Sequence, residues 1–227
     1  MIVGQRKPLA EIKALLDGAR RLLVLGCGTC VAVCMAGGEK EAGVLAAQLR
    51  MAAGVEGRDL EVDHTTLERQ CDREFLTPLE RSIHDYDAVV SLACGAGVQL
   101  LAETFPDQSI LPGVDTRFIG VAEEPGFWTE RCRACGHCLL GRTGGICPVT
   151  MCAKGLLNGP CGGMVEGRCE IDPDRPCAWV MIYDRLEARG RLDLLAEIRA
   201  PIDHSDVHPP GRLVHPAYKR RYTADHD

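Results

Sequence analysis

Cysteine dominates the chemistry that this sequence can support, since thirteen of its residues are cysteines. The densest group comprises Cys132, Cys135 and Cys138, each separated from the next by two residues. Short loops of this kind bring three thiolates to one face of a cubane iron–sulfur cluster. Cys147 precedes a proline, as the fourth cysteine of a ferredoxin run does, but it follows a longer insertion. The run therefore predicts an iron–sulfur site and leaves its fourth ligand open.

Further cysteines in the second half of the chain complete a set of eight. They are Cys152, Cys161, Cys169 and Cys177. Eight thiolates are the number that two four-iron clusters require, because each cluster is held by four cysteines. A zinc ion uses the same four-thiolate chemistry, so zinc at one of these sites is an alternative.

The first half of the chain contains a second kind of cysteine pattern. Cys27 and Cys30 form a C-x-x-C pair, which by spacing alone also suits a redox dithiol or zinc. Cys71 and Cys94 each follow a strand-like segment, so a parallel sheet would bring them beside that pair. The four together predict a further cluster site, in which Cys34 could replace one ligand.

The elements around these cysteines alternate between apolar runs and helical periodicity. Leu22 to Leu25 forms a continuous apolar run that predicts a buried parallel strand ending at the first cysteine loop. Further strands are predicted over 60–66, 87–93 and 117–122, and helices over 9–19, 39–53, 75–83 and 95–105. Alternation of this kind indicates an α/β fold with a Rossmann-like parallel sheet, whose ligands sit outside the carboxyl ends of the strands. We assign this cluster-binding domain to residues 1–122.

The second half of the chain has little periodicity of its own. Pro125 and Gly126 break the pattern and place a boundary over 123–131, just before the cysteine density rises. Residues 132–177 are predicted to be loop-rich and organised by cofactors, followed by helices over 178–189 and 192–199. We therefore predict a cysteine-rich iron–sulfur domain over 123–200 and an extended tail over 201–227.

Composition excludes several classes of protein. The sequence has no apolar signal core and no stretch of about 18 apolar residues, so we expect a cytoplasmic protein without a membrane span. A reducing compartment favours thiolate–metal bonds over disulfides. The net charge of -6 disfavours nucleic acid as a partner. Paired catalytic carboxylates and Ser-His-Asp arrangements are not identifiable, so no residue is assigned a catalytic role.

With these residues in view, the sequence resembles the iron–sulfur small subunits, the MetV family, of two-subunit methylenetetrahydrofolate reductases. The resemblance extends over about residues 21–186. In the first half it rests on motifs at 26–34, 36–41, 68–71 and 92–99. In the second half it rests on motifs at 143–148, 152–154, 156–163, 177–179 and 182–186, which look like the C-terminal domain associated with these reductases.

The resemblance implies a function for the whole chain. In that family the small subunit passes electrons to the flavin of a MetF-like partner; for this chain the number of cysteines predicts two or three [4Fe-4S] clusters. The partner holds the FMN or FAD and reduces methylenetetrahydrofolate to 5-methyltetrahydrofolate in one-carbon metabolism. Electrons would arrive from a ferredoxin or a pyridine-nucleotide-oxidising subunit. Every cysteine that the family uses is present in this chain.

Two other functions stay open from the sequence. The metals could be purely structural, which would make the chain a zinc- or iron–sulfur-stabilised docking module of a one-carbon enzyme complex. Alternatively, Cys27 and Cys30 could act as the dithiol of a free-standing redox enzyme.

Overall fold

A computed structural model of the chain describes residues 1–16, 18–198, 200–202, 210–218 and 221. The chain divides into two compact units, Met1–Arg131 and Cys132–Asp227. The predicted α/β fold is confirmed, with a parallel four-stranded sheet in the first half and a loop-rich cysteine region in the second. The predicted helix over 9–19 and the tail over 201–227 lie partly outside the described residues.

The parallel sheet is the centre of the first unit. Its strands are β2 (Arg21–Cys27), β3 (Glu61–Leu67), β4 (Ala88–Ser91) and β5 (Ile110–Pro112), in the order β3-β2-β4-β5. Successive residues of β2 point to opposite faces, so Leu22 and Val24 join one hydrophobic cluster while Leu23 and Leu25 join another. Both faces are therefore buried, which explains why this strand reads as a continuous apolar run.

Helices and 3-10 turns cover the two faces of the parallel sheet. The helices of this unit are α1 (Leu9–Leu15), α2 (Cys30–Val33), α3 (Glu39–Glu56) and α4 (Gly95–Thr104). The helix predicted over 75–83 is instead a pair of 3-10 segments, Arg73–Leu79 and Ile83–Asp85. Pro78 lies inside the first of them, and its missing amide hydrogen prevents a regular α-helix there.

A second sheet in the same unit was not predicted from the sequence. It is formed by β1 (Ile2–Arg6), β6 (Val114–Glu124) and β7 (Phe127–Cys132), in the order β1-β6-β7. The strand expected over 117–122 belongs to this sheet and pairs antiparallel with β1, whereas the fourth parallel strand is β5. Much of β6 is exposed, which suits an antiparallel strand with one solvated face.

The segment 123–131, interpreted from sequence as a boundary, forms the ends of a β-hairpin. Pro125 and Gly126 make the two-residue turn between β6 and β7, and Gly126 has a φ of 87°. The turn residues were recognised correctly, but they connect two neighbouring strands of one sheet.

Among its described residues, the second unit has three α-helices and one 3-10 segment, Pro216–Tyr218. The helices are α5 (Pro148–Met151), α6 (Ala178–Ala188) and α7 (Asp193–Ala196). The helix predicted over 178–189 is confirmed almost to its bounds, and the one predicted over 192–199 is reduced to a single turn within the described residues. The fully or nearly buried hydrophobic cluster of this unit is small and comprises Ile146, Cys177, Trp179, Ile182 and Leu186.

Asp87 fixes the start of β2 against β4. Its carboxylate accepts the backbone N–H groups of Arg20 and Arg21, each at 2.8 Å. These hydrogen bonds, that of Arg21 first, lower the pKa of Asp87. A carboxylate with a lowered folded-state pKa contributes stability that is complete above its unfolded-state pKa and is lost as pH falls through the folded-state pKa.

We predict that Asp87→Ala lowers the free energy of unfolding at pH 7 and that the deficit narrows below about pH 4, near the unfolded-state pKa of aspartate. Urea denaturation of both proteins at pH 7, 5, 4 and 3 measures this difference. Asp85→Ala, two residues away, serves as the control for a general change of net charge. A deficit that stayed constant down to pH 3 would contradict this account of Asp87.

Candidate metal centres

The cysteines of the first unit lie at the carboxyl ends of the parallel strands, as their sequence positions predicted. Cys27 is the last residue of β2, Cys71 follows β3, and Cys94 follows β4 and caps the N-terminus of α4. Partial burial raises the pKa of the Cys71 thiol, and the neighbouring Cys94 and Cys27 thiolates raise it further. Three thiols from three separate stretches of the chain are thus close enough to interact electrostatically.

Cys30 and Cys34 stand at the two ends of α2, the short helix that follows Cys27. Cys30 is the first residue of α2, whereas Cys34 ends it and is only 5% exposed. The Cys34 thiol donates a hydrogen bond to the carbonyl of Ile2 at 3.5 Å. Burial raises the pKa of Cys34, and the Cys30 thiolate adds to that effect. Whether Cys30 or Cys34 completes a set with Cys27, Cys71 and Cys94 stays a prediction.

Gln70 is the residue that holds these strand ends in place. Its side chain is fully buried, and its amide nitrogen donates to the carbonyls of Leu25 at 3.0 Å and Gly26 at 2.9 Å. Its amide oxygen accepts the hydroxyl of Ser91 at 2.7 Å. One side chain therefore connects the ends of β2 and β4 and fixes the backbone immediately before Cys71.

Two glycines allow the loops to approach this site closely. A Cβ on Gly37 would lie 1.9 Å from the carbonyl oxygen of Leu92, and one on Gly97 would lie 2.7 Å from Cβ of Ala93 and 3.0 Å from Cβ of Gln70. At either position these distances leave no room for a side chain unless the backbone or the core moves. Glycine is therefore required at position 97 in the first turn of α4 and at position 37 in the loop after α2 for these segments to pack against the strand ends.

Four cysteines of the second unit line one small pocket. They are Cys152, Cys161, Cys169 and Cys177. Cys177 is buried and caps the N-terminus of α6, while Cys169 lies in a loop closed by backbone bonds from Cys169 to Arg175 and from Cys177 to Gly167. The structure thus brings together four residues that are spread over 26 positions of the sequence.

Cys169 lies close to several backbone N–H groups. The backbone N–H groups of Ile171 and Asp172 lower its pKa, and the Arg175 charge and the Ala153 N–H group add to the effect. The loop that carries it is fixed by an ion pair between Lys154 and Glu170. An environment of this kind stabilises a thiolate, the form in which cysteine binds metal.

The C-x2-C-x2-C run forms a sequence of tight turns. The N–H of Ala134 donates to the sulfur of Cys132 at 3.3 Å, and the thiol of Cys135 donates to the carbonyl of His137 at 3.7 Å. Ala134 and Gly136 have φ values of 50° and 79°. Cys147, the candidate fourth ligand, caps the N-terminus of α5. That Cys132, Cys135, Cys138 and Cys147 share one cluster stays a prediction.

Cysteine thiolates are ligands both of iron–sulfur clusters and of zinc, so the donor set is compatible with either. In the part of the chain that the structure describes, no group of three or more His, Cys, Asp or Glu side chains is arranged to hold one metal ion. A single zinc ion draws its four ligands to within about 2.3 Å. A four-iron cluster instead offers each thiolate its own iron, so its ligands stand farther apart. The choice between these two kinds of site stays a prediction.

Residues 111–205 match the protein family described as Methylene-tetrahydrofolate reductase C terminal. The match contains the four-cysteine pocket and the C-x2-C-x2-C run. It covers less than half of the 227 residues, so the resemblance inferred from sequence is confirmed for this reductase C-terminal domain alone. No curated protein and no solved structure matches the chain.

The matched stretch begins within β5 and ends at residue 205, beyond α7. The sheet-end cysteines Cys27, Cys71 and Cys94 therefore lie outside the matched stretch. Within the described residues, no helix is long and apolar enough to cross a membrane.

Sequence reasoning missed the role of Gln70 because its surroundings read as a polar loop. Glu68, Arg69 and Asp72 flank it, and nothing in their pattern marks one polar side chain as buried. The available signal was its position, directly before a cysteine and shortly after a predicted strand, where a long amide side chain can reach the neighbouring strand ends.

We predict that Gln70→Leu lowers the free energy of unfolding by about 2–4 kcal/mol, because it leaves buried carbonyl and hydroxyl groups without their partner. Gln99→Leu is the matched control, since Gln99 is exposed and only bonds back to Gly95 within α4. Denaturant unfolding of the two variants and wild type provides the measurement. Equal stabilities for the two variants would show that the buried amide does not hold the strand ends.

We also predict that Cys94→Ala removes one cluster from the anaerobically purified protein and leaves the others intact. The expected loss is about four irons per chain, together with the electron paramagnetic resonance signal of that cluster. Cys34→Ala is the control, because Cys34 bonds to Ile2 and we expect it to retain the full iron content. Unchanged iron in Cys94→Ala would exclude Cys94 as a required ligand.

Proposed function

We propose that this chain is the electron-transfer subunit of a methylenetetrahydrofolate reductase complex. The observation that carries the proposal is the pocket lined by Cys152, Cys161, Cys169 and Cys177 within the reductase C-terminal domain. A thiol-lined pocket of this composition is suited to an iron–sulfur cluster, and such a cluster supplies single-electron transfer when it is bound.

We propose three ligand groups for the cysteines. The sheet-end group comprises Cys27, Cys30, Cys71 and Cys94. The pocket group comprises Cys152, Cys161, Cys169 and Cys177. The remaining group comprises Cys132, Cys135, Cys138 and Cys147. The pocket separates the eight cysteines of the second unit into two sets of four, which supports three [4Fe-4S] clusters in preference to two.

The residues around these groups do more than bind iron. Peptide N–H groups near Cys169 stabilise negative charge on its sulfur, and hydrogen bonding to cluster ligands raises the reduction potential. Gln70 and the glycines beside the sheet ends keep the thiols of the first unit in fixed positions. A rigid, partly buried ligand set reduces the reorganisation that accompanies a change of charge.

The proposed electron acceptor is the flavin, FMN or FAD, of a MetF-like catalytic subunit. Hydride chemistry on a folate needs an organic cofactor such as flavin, whereas clusters move single electrons. The chain therefore supplies electrons, and the partner reduces methylenetetrahydrofolate to 5-methyltetrahydrofolate. A ferredoxin or a pyridine-nucleotide-oxidising subunit is the proposed donor.

One observation favours a second function, that of a docking module whose metals are structural. The hydrophobic cluster of the second unit contains five buried residues, one of them Cys177. So small a core contributes little folding free energy, and metal binding would have to supply much of the remainder. A reductive titration separates the two functions, because structural zinc takes up no electrons.

We predict that the anaerobically purified chain contains about twelve irons, or about eight if one group is empty, and accepts electrons from dithionite. Mixed with a flavin-containing reductase partner, it should restore flavin reduction, and Cys132→Ser, Cys135→Ser or Cys138→Ser should abolish that electron delivery. Cys34→Ser is the control and should support normal flavin reduction.

Two results would contradict the electron-transfer function. The first is an iron content below about four per chain after careful anaerobic reconstitution, which is less than one cluster requires. The second is folate reduction by the isolated chain, since that would make it catalytic. Zinc in place of iron, with no uptake of electrons, would support the docking module instead.

A further inference from the structure

The long helix α3 packs one of its faces against the parallel sheet. The buried residues of that face are Ala42, Leu45, Ala46, Leu49 and Ala53. All of them except Ala53 belong to the hydrophobic cluster that also contains Leu22 and Val24 of β2. When one face of a surface helix is buried in this way, the opposite face normally carries polar and charged side chains.

The outer face of α3 is apolar instead. Val44 is 44% exposed, Met51 is 73% exposed and Val55 is 90% exposed. Spacings of seven and four residues place these three side chains within about 40° of one another around the helix axis. Ala47, which is also exposed, lies beside them on the same face. These four residues form a single apolar strip, which we call the α3 stripe.

The α3 stripe differs from the outer face of the other long amphipathic helix, α6. There the exposed residues include Asp184, Arg185 and Glu187. A helix that is apolar on all sides is normally covered on all sides, and contiguous exposed apolar residues mark interaction sites. Because Val55 is 90% exposed, its own chain does not supply the cover.

Gly54 leaves open space at the border of the α3 stripe. A Cβ added to it would meet no atom within 4 Å, so packing within the chain does not require a glycine there. Glycine inside a helix costs about 0.5–1 kcal/mol relative to alanine. Its missing side chain allows the backbone of a second helix to come close to α3 at this point.

Charges of opposite sign stand at the two ends of the α3 stripe. Lys40 is exposed in the first turn of α3, and Asp59 is exposed just beyond its last turn. Neither forms an ion pair with a residue that the structure describes. Glu39 and Arg58, which adjoin them in the sequence, are also of opposite sign. An antiparallel copy of the helix would bring Lys40 to Asp59, whereas a parallel copy would bring like charges together.

We propose that α3 is a dimerisation helix, which packs antiparallel against α3 of a second copy of this chain. Gln48 and Met51 meet at the twofold axis, and Val44 of one copy contacts Val55 of the other. Val44 and Val55 lie about 16 Å apart along the helix, so this register covers the stripe from end to end. The surface is self-complementary, as a twofold interface requires, and therefore fits a second copy. The dimer does not rest on the proposed electron-transfer function.

Sedimentation equilibrium of the full chain, purified without oxygen, measures this association directly. One pair of helices buries less than the roughly 1,600 Å² of a typical stable complex, so we expect a Kd of about 1–100 µM. The apparent mass should rise with concentration from 24.6 kDa towards twice that value. A mass that stays at the value for one chain up to about 0.5 mM would overturn the proposal.

Met51→Glu places a charge at the centre of the α3 stripe. Met51 is 73% exposed, so the substitution leaves the core of the single chain intact, and we expect the Kd to rise about tenfold or more. Val165→Glu is the matched control, since Val165 is 68% exposed and lies in the second unit. Equal Kd values for the two variants would place the interface elsewhere and overturn the proposal.

Val55→Glu guards against local unfolding of α3 as the cause. Val55 is 90% exposed and lies in the last turn of the helix, so its side chain contributes little to the fold of one chain. The Kd should again rise about tenfold, while the circular dichroism spectrum stays that of wild type. Weaker association that occurred only together with a loss of helical signal would overturn the proposal.

The charges at the ends of the α3 stripe test the antiparallel arrangement. Lys40→Glu and Asp59→Lys each turn two attractive contacts of the dimer into repulsive ones. At about 50 mM salt, where screening is weak, we expect each to raise the Kd about threefold to tenfold. The variant that carries both substitutions restores opposite signs and should return the Kd to near the wild-type value. A double variant that dimerises no better than the single ones would overturn the antiparallel arrangement.

Discussion

A single buried amide, that of Gln70, holds together the part of the first unit where its chemistry is expected. It bonds to Leu25 and Gly26 at the end of β2 and to Ser91 at the end of β4. These bonds satisfy polar groups at the point where two parallel strands separate, which is where an α/β sheet normally opens to form a ligand site. The sheet-end cysteines emerge directly from this network, so their positions are set by the fold before any metal binds.

In the second unit, by contrast, folding is expected to depend on the bound metal. Its four-cysteine pocket is assembled from loops, and the hydrophobic cluster behind it has five buried residues. Here the ligand and the local structure are expected to stabilise one another, as in small metal-dependent domains. The fold thus sets the positions of the sheet-end cysteines, whereas a metal in the four-cysteine pocket would itself stabilise the loops around it.

How far the sequence predicts this structure can be judged element by element. The apolar run at 22–25 predicts β2 well, because burial of a strand on both faces leaves a continuous apolar pattern. The helical periodicity of 178–189 predicts α6 equally well. The antiparallel sheet was missed, since β1 is short and β6 reads as an additional strand of the parallel sheet. The count of cysteines indicates clusters, but only the three-dimensional structure groups four of them around one pocket. Gln70 was missed because its role depends on burial and on contacts with distant residues, and its position before Cys71 was the one signal in the sequence.

In two of the three proposed ligand groups a cysteine stands at the start of a helix of at least ten residues, Cys94 at α4 and Cys177 at α6. The N-terminus of a helix carries a partial positive charge of about half an elementary charge, which stabilises a nearby anion by roughly 0.3–1 kcal/mol. Every electron that enters a cluster adds one negative charge beside such a terminus. At about 59 mV for each tenfold change in the equilibrium constant, this stabilisation corresponds to about 10–40 mV. In the proposed clusters, both helices would therefore favour the reduced state, and the backbone itself would help to set the reduction potential.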